Sequence, residues 1–126
     1  MVNDFNNGAE GWTDWNVLLD ERGGPNHVQN FCFAPVHADT KTGELSYLNA
    51  YYYIGHFSKF IRPGAKRIIS SSSTDQLQTT AFLNPDGKIA VVVLNLSNQA
   101  QPFSLWLGGR AVRTSSPAHS IMTLVI

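Results

Sequence analysis

The chain has 126 residues, an apolar fraction of 43% and no net charge. That length allows one domain, or one domain with part of another, and the apolar content excludes a disordered chain. A charged fraction of 14%, with no cation run longer than Lys66–Arg67, excludes a phosphate-tracking nucleic-acid surface.

In chain order, "MVNDFNNGAE" lacks the basic start and apolar core of a signal peptide. Residues 9–19, "AEGWTDWNVLL", predict a strand and its exit: they are aromatic and apolar and carry no helix cap. "DERGGPNH" follows as a polar loop with Gly23, Gly24 and Pro25, and residues 26–42 show no period. In residues 44–61, Leu45, Leu48, Tyr52, Gly55 and His56 fall on one stripe, which predicts a helix stopped by Pro63-Gly64.

The second half predicts short strands at Ile68–Ser72, Leu77–Leu83, Ile89–Asn95, Gln101–Leu107 and Ile121–Val125. Turn signals separate them, the strongest being Asn84-Pro85-Asp86-Gly87. Such spacing predicts an antiparallel sheet, half of a sandwich. The boundary falls near Pro63–Arg67. The longest apolar run, Ile89–Leu94, is too short for a membrane-spanning helix.

Cys32 is the single cysteine, so neither an intrachain disulfide nor a cysteine zinc site forms. His27, His37, His56 and His119 include no pair four residues apart, so no metal site and no cofactor is expected. His56 packs or caps on this reading. Tyr51-Tyr52-Tyr53 points in three directions on a helix, which favours core packing over a sugar platform. Asn95-Leu96-Ser97 fits a glycosylation sequon, a pattern frequent by chance.

"GWTDWNVLLDERGGPN" (11–26), "GHFSKFIRPGAKRI" (55–68), "NPDGKIAVVVLN" (84–95) and "SPAHSIMTLV" (116–125) resemble, in order and spacing, the glucosylceramidase-like members of glycoside hydrolase family 30. The resemblance covers nearly the whole chain. It implies an α+β fragment: the terminal β-strand–loop–α-helix of a (β/α)8 barrel in residues 1–63, then an antiparallel β-sandwich-type domain in 64–126. Residues 1–10 would end the seventh barrel helix, 11–19 form the eighth strand and 45–61 the eighth helix. The rest of such an enzyme would hold seven barrel strands and the strands that complete the sandwich. Its members are often secreted or lysosomal, and the sequence leaves the compartment open.

The resemblance also implies a retaining β-glycosidase. Such an enzyme needs two carboxyl groups roughly 5–5.5 Å apart, to reach one anomeric carbon and its glycosidic oxygen. In the family both are glutamates on the fourth and seventh barrel strands, which this chain lacks. Its own glutamates, Glu10, Glu21 and Glu44, sit in no matching motif. Glu10 and Asp14 would lie about 13 Å apart along a strand, at ~3.3 Å per residue. Asp20 and Glu21 read as solvated loop acids.

Four residues are candidates for substrate binding. Trp15 lies near the end of a barrel strand, where such sites form. Its indole suits the apolar face of a sugar, and the family's matching tryptophan lines the glucosyl pocket. Asn30 matches an asparagine bordering the same site, or is a turn residue bonding its own backbone. Asp14 either positions active-site groups or is a structural acid. Phe31 forms an apolar rim or packs. Trp12 reads as packing.

Three functions stay open: the C-terminal segment of a glucosylceramidase-type hydrolase acting on a β-glucoside or glucosylceramide-like substrate and inactive alone; a glycan- or lipid-binding β module using Trp106; and a structural piece that self-associates through open strand edges or docks to the rest of a barrel.

Overall fold

A computed structural model describes every residue except Pro25, His27 and Asn30. The chain folds as two units, Trp12–Gly55 and Met1–Gly11 with His56–Ile126.

The Trp12–Gly55 unit is built on a three-stranded sheet. β1 (Leu18–Asp20) pairs in parallel with β2 (Val36–Ala38), which pairs antiparallel with β3 (Leu45–Tyr47). The expected strand over 9–19 therefore shortens to its last residues. A strand exists only where a neighbour satisfies its backbone, and β1 meets β2 at Leu18–Val36, Leu19–His37 and Asp20–Ala38. Trp12 to Leu18 are exposed, and Leu19 is fully buried.

The helical stripe also begins later than its spacing predicts. Leu45-Ser46-Tyr47 pairs with β2, and the helix starts at Asn49 (α2, Asn49–Ser58). The turn between the two strands decides this. Asp39 Oδ1 accepts from the Lys41 and Thr42 N–H groups at 2.8 and 3.0 Å, and Asp39 N–H donates to Glu44 O at 2.9 Å. Aspartate at the head of a tight turn closes a hairpin, and the pairing overrides helical spacing.

The second unit is centred on a four-stranded antiparallel sheet in the order β4-β5-β6-β9: Lys66–Ile68, Leu77–Leu83, Ile89–Asn95 and Ser120–Val125. A separate hairpin joins β7 (Gln101–Leu107) to β8 (Arg110–Ser116). Two strands differ from expectation. β4 lies at Lys66–Ile68, not Ile68–Ser72, because only those residues find partners on β5, and Ile69 is 93% exposed. β8 was not predicted, since "RAVRTSS" carries two arginines and three hydroxyls, and most of it is exposed.

β6 is buried on both faces, which explains the continuous run Ala90-Val91-Val92-Val93 where a half-exposed strand would alternate. Val91 and Val93 join Leu77 and Ala81 on one face, with Phe103 and Leu105 of β7 packed against them. Val92 faces the other way, towards Val2 and Phe57. Phe5 of α1 (Val2–Asn6) stacks on Phe57 and meets Phe82 edge-on, both at 5.6 Å between ring centres. Asn6 Nδ2 donates to Thr79 O at 2.8 Å, fixing α1 to β5.

Two buried asparagines close the ends of the sheet. Asn84 Nδ2 donates to Phe60 O and Asn84 Oδ1 accepts from Arg62 N–H, both at 2.9 Å, tying the exit of α2 to the β5–β6 turn. Asn95, with no exposed surface, shares the two hydrogens of Nδ2 among the carbonyls of Gln99, Ser116 and Pro117 at 2.9, 3.0 and 2.8 Å. Its Oδ1 accepts from Ser97 N–H and Oγ. Removing that amide leaves buried carbonyls without partners. Asn95→Ala is expected to cost on the order of 3 kcal/mol of stability in denaturant unfolding, from net hydrogen bonds of about 1 kcal/mol each plus desolvation.

Candidate functional site

Unit Trp12–Gly55 carries the sequence-predicted site residues. Trp15 is 69% exposed on the irregular segment that leads into β1. Asp14 Oδ1 accepts the Trp15 backbone N–H at 2.8 Å, so this carboxylate shapes the turn that presents the indole. Phe31 is also 69% exposed, and Phe33 beside it more so. Asn30 lies outside the described residues. Trp12, expected to pack, is about half exposed.

The loop after β1 is more ordered than its composition suggests, and Asp20 orders it. Asp20 Oδ1 accepts from the N–H groups of Arg22 and Gly24, both at 2.8 Å, and Gly23 N–H donates to Asp20 O at 3.0 Å. Gly23 has φ +69°, and a Cβ there would stand 2.6 Å from Cys32 N and 3.1 Å from Phe31 Cα. The loop thus lies directly on the Phe31–Cys32 backbone and holds it in place. Sequence reasoning passed over this pair; the Asp-x-x-Gly-Gly spacing, with an acid positioned to accept from the turn it opens, is the signal that could have found it.

Glu21 is likewise bound rather than free in solvent. Its carboxylate accepts from Thr40 Oγ1 at 2.7 Å and Thr40 N–H at 3.1 Å. Those hydrogen bonds lower its pKa from an ordinary 4.5 to about 2. A carboxyl held ionised in this way cannot serve as a general acid. Asp20 and Asp39 are similarly committed to backbone N–H groups, while Glu10 and Glu44 are exposed.

His37 Nε2 accepts Ala34 N–H at 3.2 Å, and its ring stacks on Phe33 at 5.5 Å. His56, in the other unit, lies 3.0 Å from Thr123 Oγ1 and stacks on Phe60, and burial lowers its pKa. Among the described residues no group of three or more His, Cys, Asp or Glu could hold a metal ion. Tyr47, Tyr51 and Tyr52 form an exposed aromatic cluster, with ring centres 4.8 and 5.4 Å apart, where core packing was expected of the tyrosine run. The sequon asparagine, Asn95, is sealed inside its domain, so the folded chain offers no amide there for a glycan.

This combination is the end of a barrel joined to a β-sandwich domain. The description "Glycosyl hydrolase family 30 TIM-barrel domain" matches residues 1–61, and "Glycosyl hydrolase family 30 beta sandwich domain" matches residues 64–124. The chain belongs to glycoside hydrolase family 30. It is 44% identical over 118 residues to the lysosomal acid glucosylceramidase of Mus musculus, covering 90% of this chain and 22% of that protein. Among solved structures it is similar to SrfJ from Salmonella typhimurium, with TM-score 0.95 and 36% identity over 99% of this chain and 28% of that one. It is also similar to the endo-β1,6-glucanase BT3312, with TM-score 0.89 and 27% identity over 97% and 28% of the two chains. The chain thus spans between 22% and 28% of the length of these relatives. Among the described residues no helix is long and apolar enough to cross a membrane.

Two outcomes check the geometry of the loop. Gly23→Ala should destabilise the chain by more than ~1 kcal/mol, since a non-glycine residue in the left-handed region costs roughly 1–2 kcal/mol before any clash. Glu21 has a folded pKa below its unfolded one, so its contribution is complete above 4.5 and is lost as pH falls through about 2. Thermal unfolding followed from pH 6 to 2 should show that loss, and Glu21→Gln should shrink it.

Proposed function

We propose that this chain is the C-terminal segment of a retaining β-glycosidase of glucosylceramidase type, with residues 1–63 ending the barrel and 64–126 forming the sandwich domain. Trp15 stacks on the apolar face of the glucosyl ring, and Asp14 holds the backbone that presents it. Asn30 and Phe31 border the same pocket, Asn30 bonding sugar hydroxyls and Phe31 forming an apolar rim. The observation that carries this reading is the exposed indole of Trp15 on the approach to β1, in a chain 44% identical to a glucosylceramidase.

The chain supplies walls and no catalytic pair. Retention needs two carboxyls roughly 5–5.5 Å apart, one nucleophilic and one able to give and take a proton. Asp20 and Asp39 each have one carboxylate oxygen engaged by loop backbone, and Glu21 has both engaged by Thr40. Alone, the chain is therefore inactive. Strand edges left open, as on β7, favour self-association of the chain or docking to the rest of a barrel.

The test is a graft. This chain replaces the matching residues of the mouse glucosylceramidase, and hydrolysis of glucosylceramide is measured. The graft should be active, and Trp15→Ala within it should lower kcat/KM by about a hundredfold, corresponding to ~3 kcal/mol of lost transition-state stabilisation. The 126-residue chain alone should show no turnover of an aryl β-glucoside. A Trp15→Ala graft of unchanged kcat/KM, or turnover by the chain alone, would overturn the assignment.

A further inference from the structure

We infer that Asp20 and His37 are positioning residues: together they hold Phe31–Ala34 from two sides and so fix where the Phe31 rim stands against the substrate. The inference rests on Phe31 bordering the sugar pocket, as proposed above, and names the groups that keep it there.

Phe31–Ala34 has no ladder of its own. These residues form neither helix nor strand. An irregular segment beside a binding site keeps its side chains in one place only where neighbouring groups hold its backbone. Two such groups are present within the Trp12–Gly55 unit, and both stem from the paired strands β1 and β2. In that ladder Leu19 stands opposite His37, and Asp20 opposite Ala38. Leu19 is fully buried, which makes the ladder a firm base.

Asp20 acts through Gly23. Its Oδ1 accepts the N–H groups of Arg22 and Gly24, the two amides on either side of Gly23, both at 2.8 Å. Gly23 N–H donates to Asp20 O at 3.0 Å. These three bonds keep Gly23 at φ +69°, in the left-handed region. There it meets the next segment backbone to backbone: an added Cβ would stand 2.6 Å from Cys32 N and 3.1 Å from Phe31 Cα. One carboxylate oxygen thus sets the surface on which Phe31 and Cys32 rest.

His37 acts on the other end. Its Nε2 accepts Ala34 N–H at 3.2 Å, so the ring proton belongs on Nδ1. The imidazole lies nearly parallel to the Phe33 ring, at 10° and with centres 5.5 Å apart. Ala34 is buried, so without the imidazole its N–H would lose the partner that burial demands. The segment is therefore held by a side chain from each strand of one ladder.

Cys32 is the chain's single cysteine, so thiol labelling reads this segment alone. In the 126-residue chain, Asp20→Ala and His37→Leu should each speed maleimide labelling about fivefold or more, as local opening becomes more frequent, with an unchanged circular dichroism spectrum. Asp20→Asn and His37→Gln keep an acceptor and should restore the native rate. In the glucosylceramidase graft, Asp20→Ala and His37→Leu should raise KM for an aryl β-glucoside about tenfold and leave kcat within about twofold, because a displaced rim weakens ground-state and transition-state binding alike. The two conservative variants should restore KM. A loss of kcat at unchanged KM would mean only less folded enzyme and would overturn the positioning role. Unchanged labelling in Asp20→Ala and His37→Leu would overturn the hold itself. Faster labelling with native KM, in a graft that Trp15→Ala still impairs about a hundredfold, would overturn the positioning role and leave the glycosidase reading standing. Grafts indifferent to Trp15→Ala and Asp20→Ala alike would overturn both.

Discussion

Burial of β6 on both faces is the constraint from which the larger unit follows. Ala90, Val91, Val92 and Val93 have almost no exposed surface, so each face needs its own cover. On one side Val2, Phe5 and Phe57 provide it from two helices, and the α1 segment is further fixed by Asn6 on Thr79. On the other side Phe103 and Leu105 of β7 cover part of the face. Fully burying a valine is favourable by about 1.5–3 kcal/mol, so helices and hairpin gain most by staying where β6 holds them. Asn95 ends the strand and anchors the β8–β9 corner in one move, since the carbonyls it bonds belong to Gln99, Ser116 and Pro117.

The smaller unit is organised by acids bonded to backbone rather than by a core. Asp14 serves the Trp15 N–H, Asp20 the loop through Gly24, Asp39 the β2–β3 turn and Glu21 the Thr40 turn. Each carboxylate accepts what a buried apolar contact would otherwise have to stabilise. For Glu21 the same bonding makes a poor proton shuttle. A carboxyl held near pKa 2 gives up its proton far too readily to protonate a leaving oxygen at neutral pH. The result is a set of loops that can present aromatic side chains at fixed positions.

Much of the fold could be read from the sequence where a pattern had one physical meaning. β5, β6 and β7 fall at the predicted residues because β-branched and aromatic runs lie between unambiguous turns. The pattern failed where pairing, not periodicity, decides. Leu45, Leu48 and Tyr52 satisfy a helical stripe, yet Leu45 is half exposed and sits in β3. β8 escaped notice because an edge strand with Arg110 and Arg113 reads as loop. Of the candidate site, Trp15 and Phe31 are singled out by residue type and resemblance, and the structure shows both exposed. The Asp-x-x-Gly-Gly spacing of Asp20 and Gly23 marks a turn, but the approach of Cys32, nine residues from Gly23 in sequence, is a contact that no local pattern encodes.

Both units expose apolar surface, some of it on or beside strands and some on loops and on α2, as at Phe31, Phe33, Ile69 and Tyr52. Trp12, Trp15, Val17 and Leu18 precede or begin β1, which among the described residues pairs on one flank only; Trp106, Leu107 and Val112 lie on a hairpin of two strands. Scattered single residues of this kind are ordinary on a protein surface, but continuous ones are not. The two exposures differ in chemistry. Around Trp15 the aromatic groups are accompanied by polar loop groups, a combination that suits a ligand with hydroxyls and one apolar face. Along β7 the exposed groups are an indole and aliphatic side chains, on a strand paired only with β8 among the described residues. A single physical rule, that apolar surface and unpaired backbone seek cover, therefore accounts for both exposures.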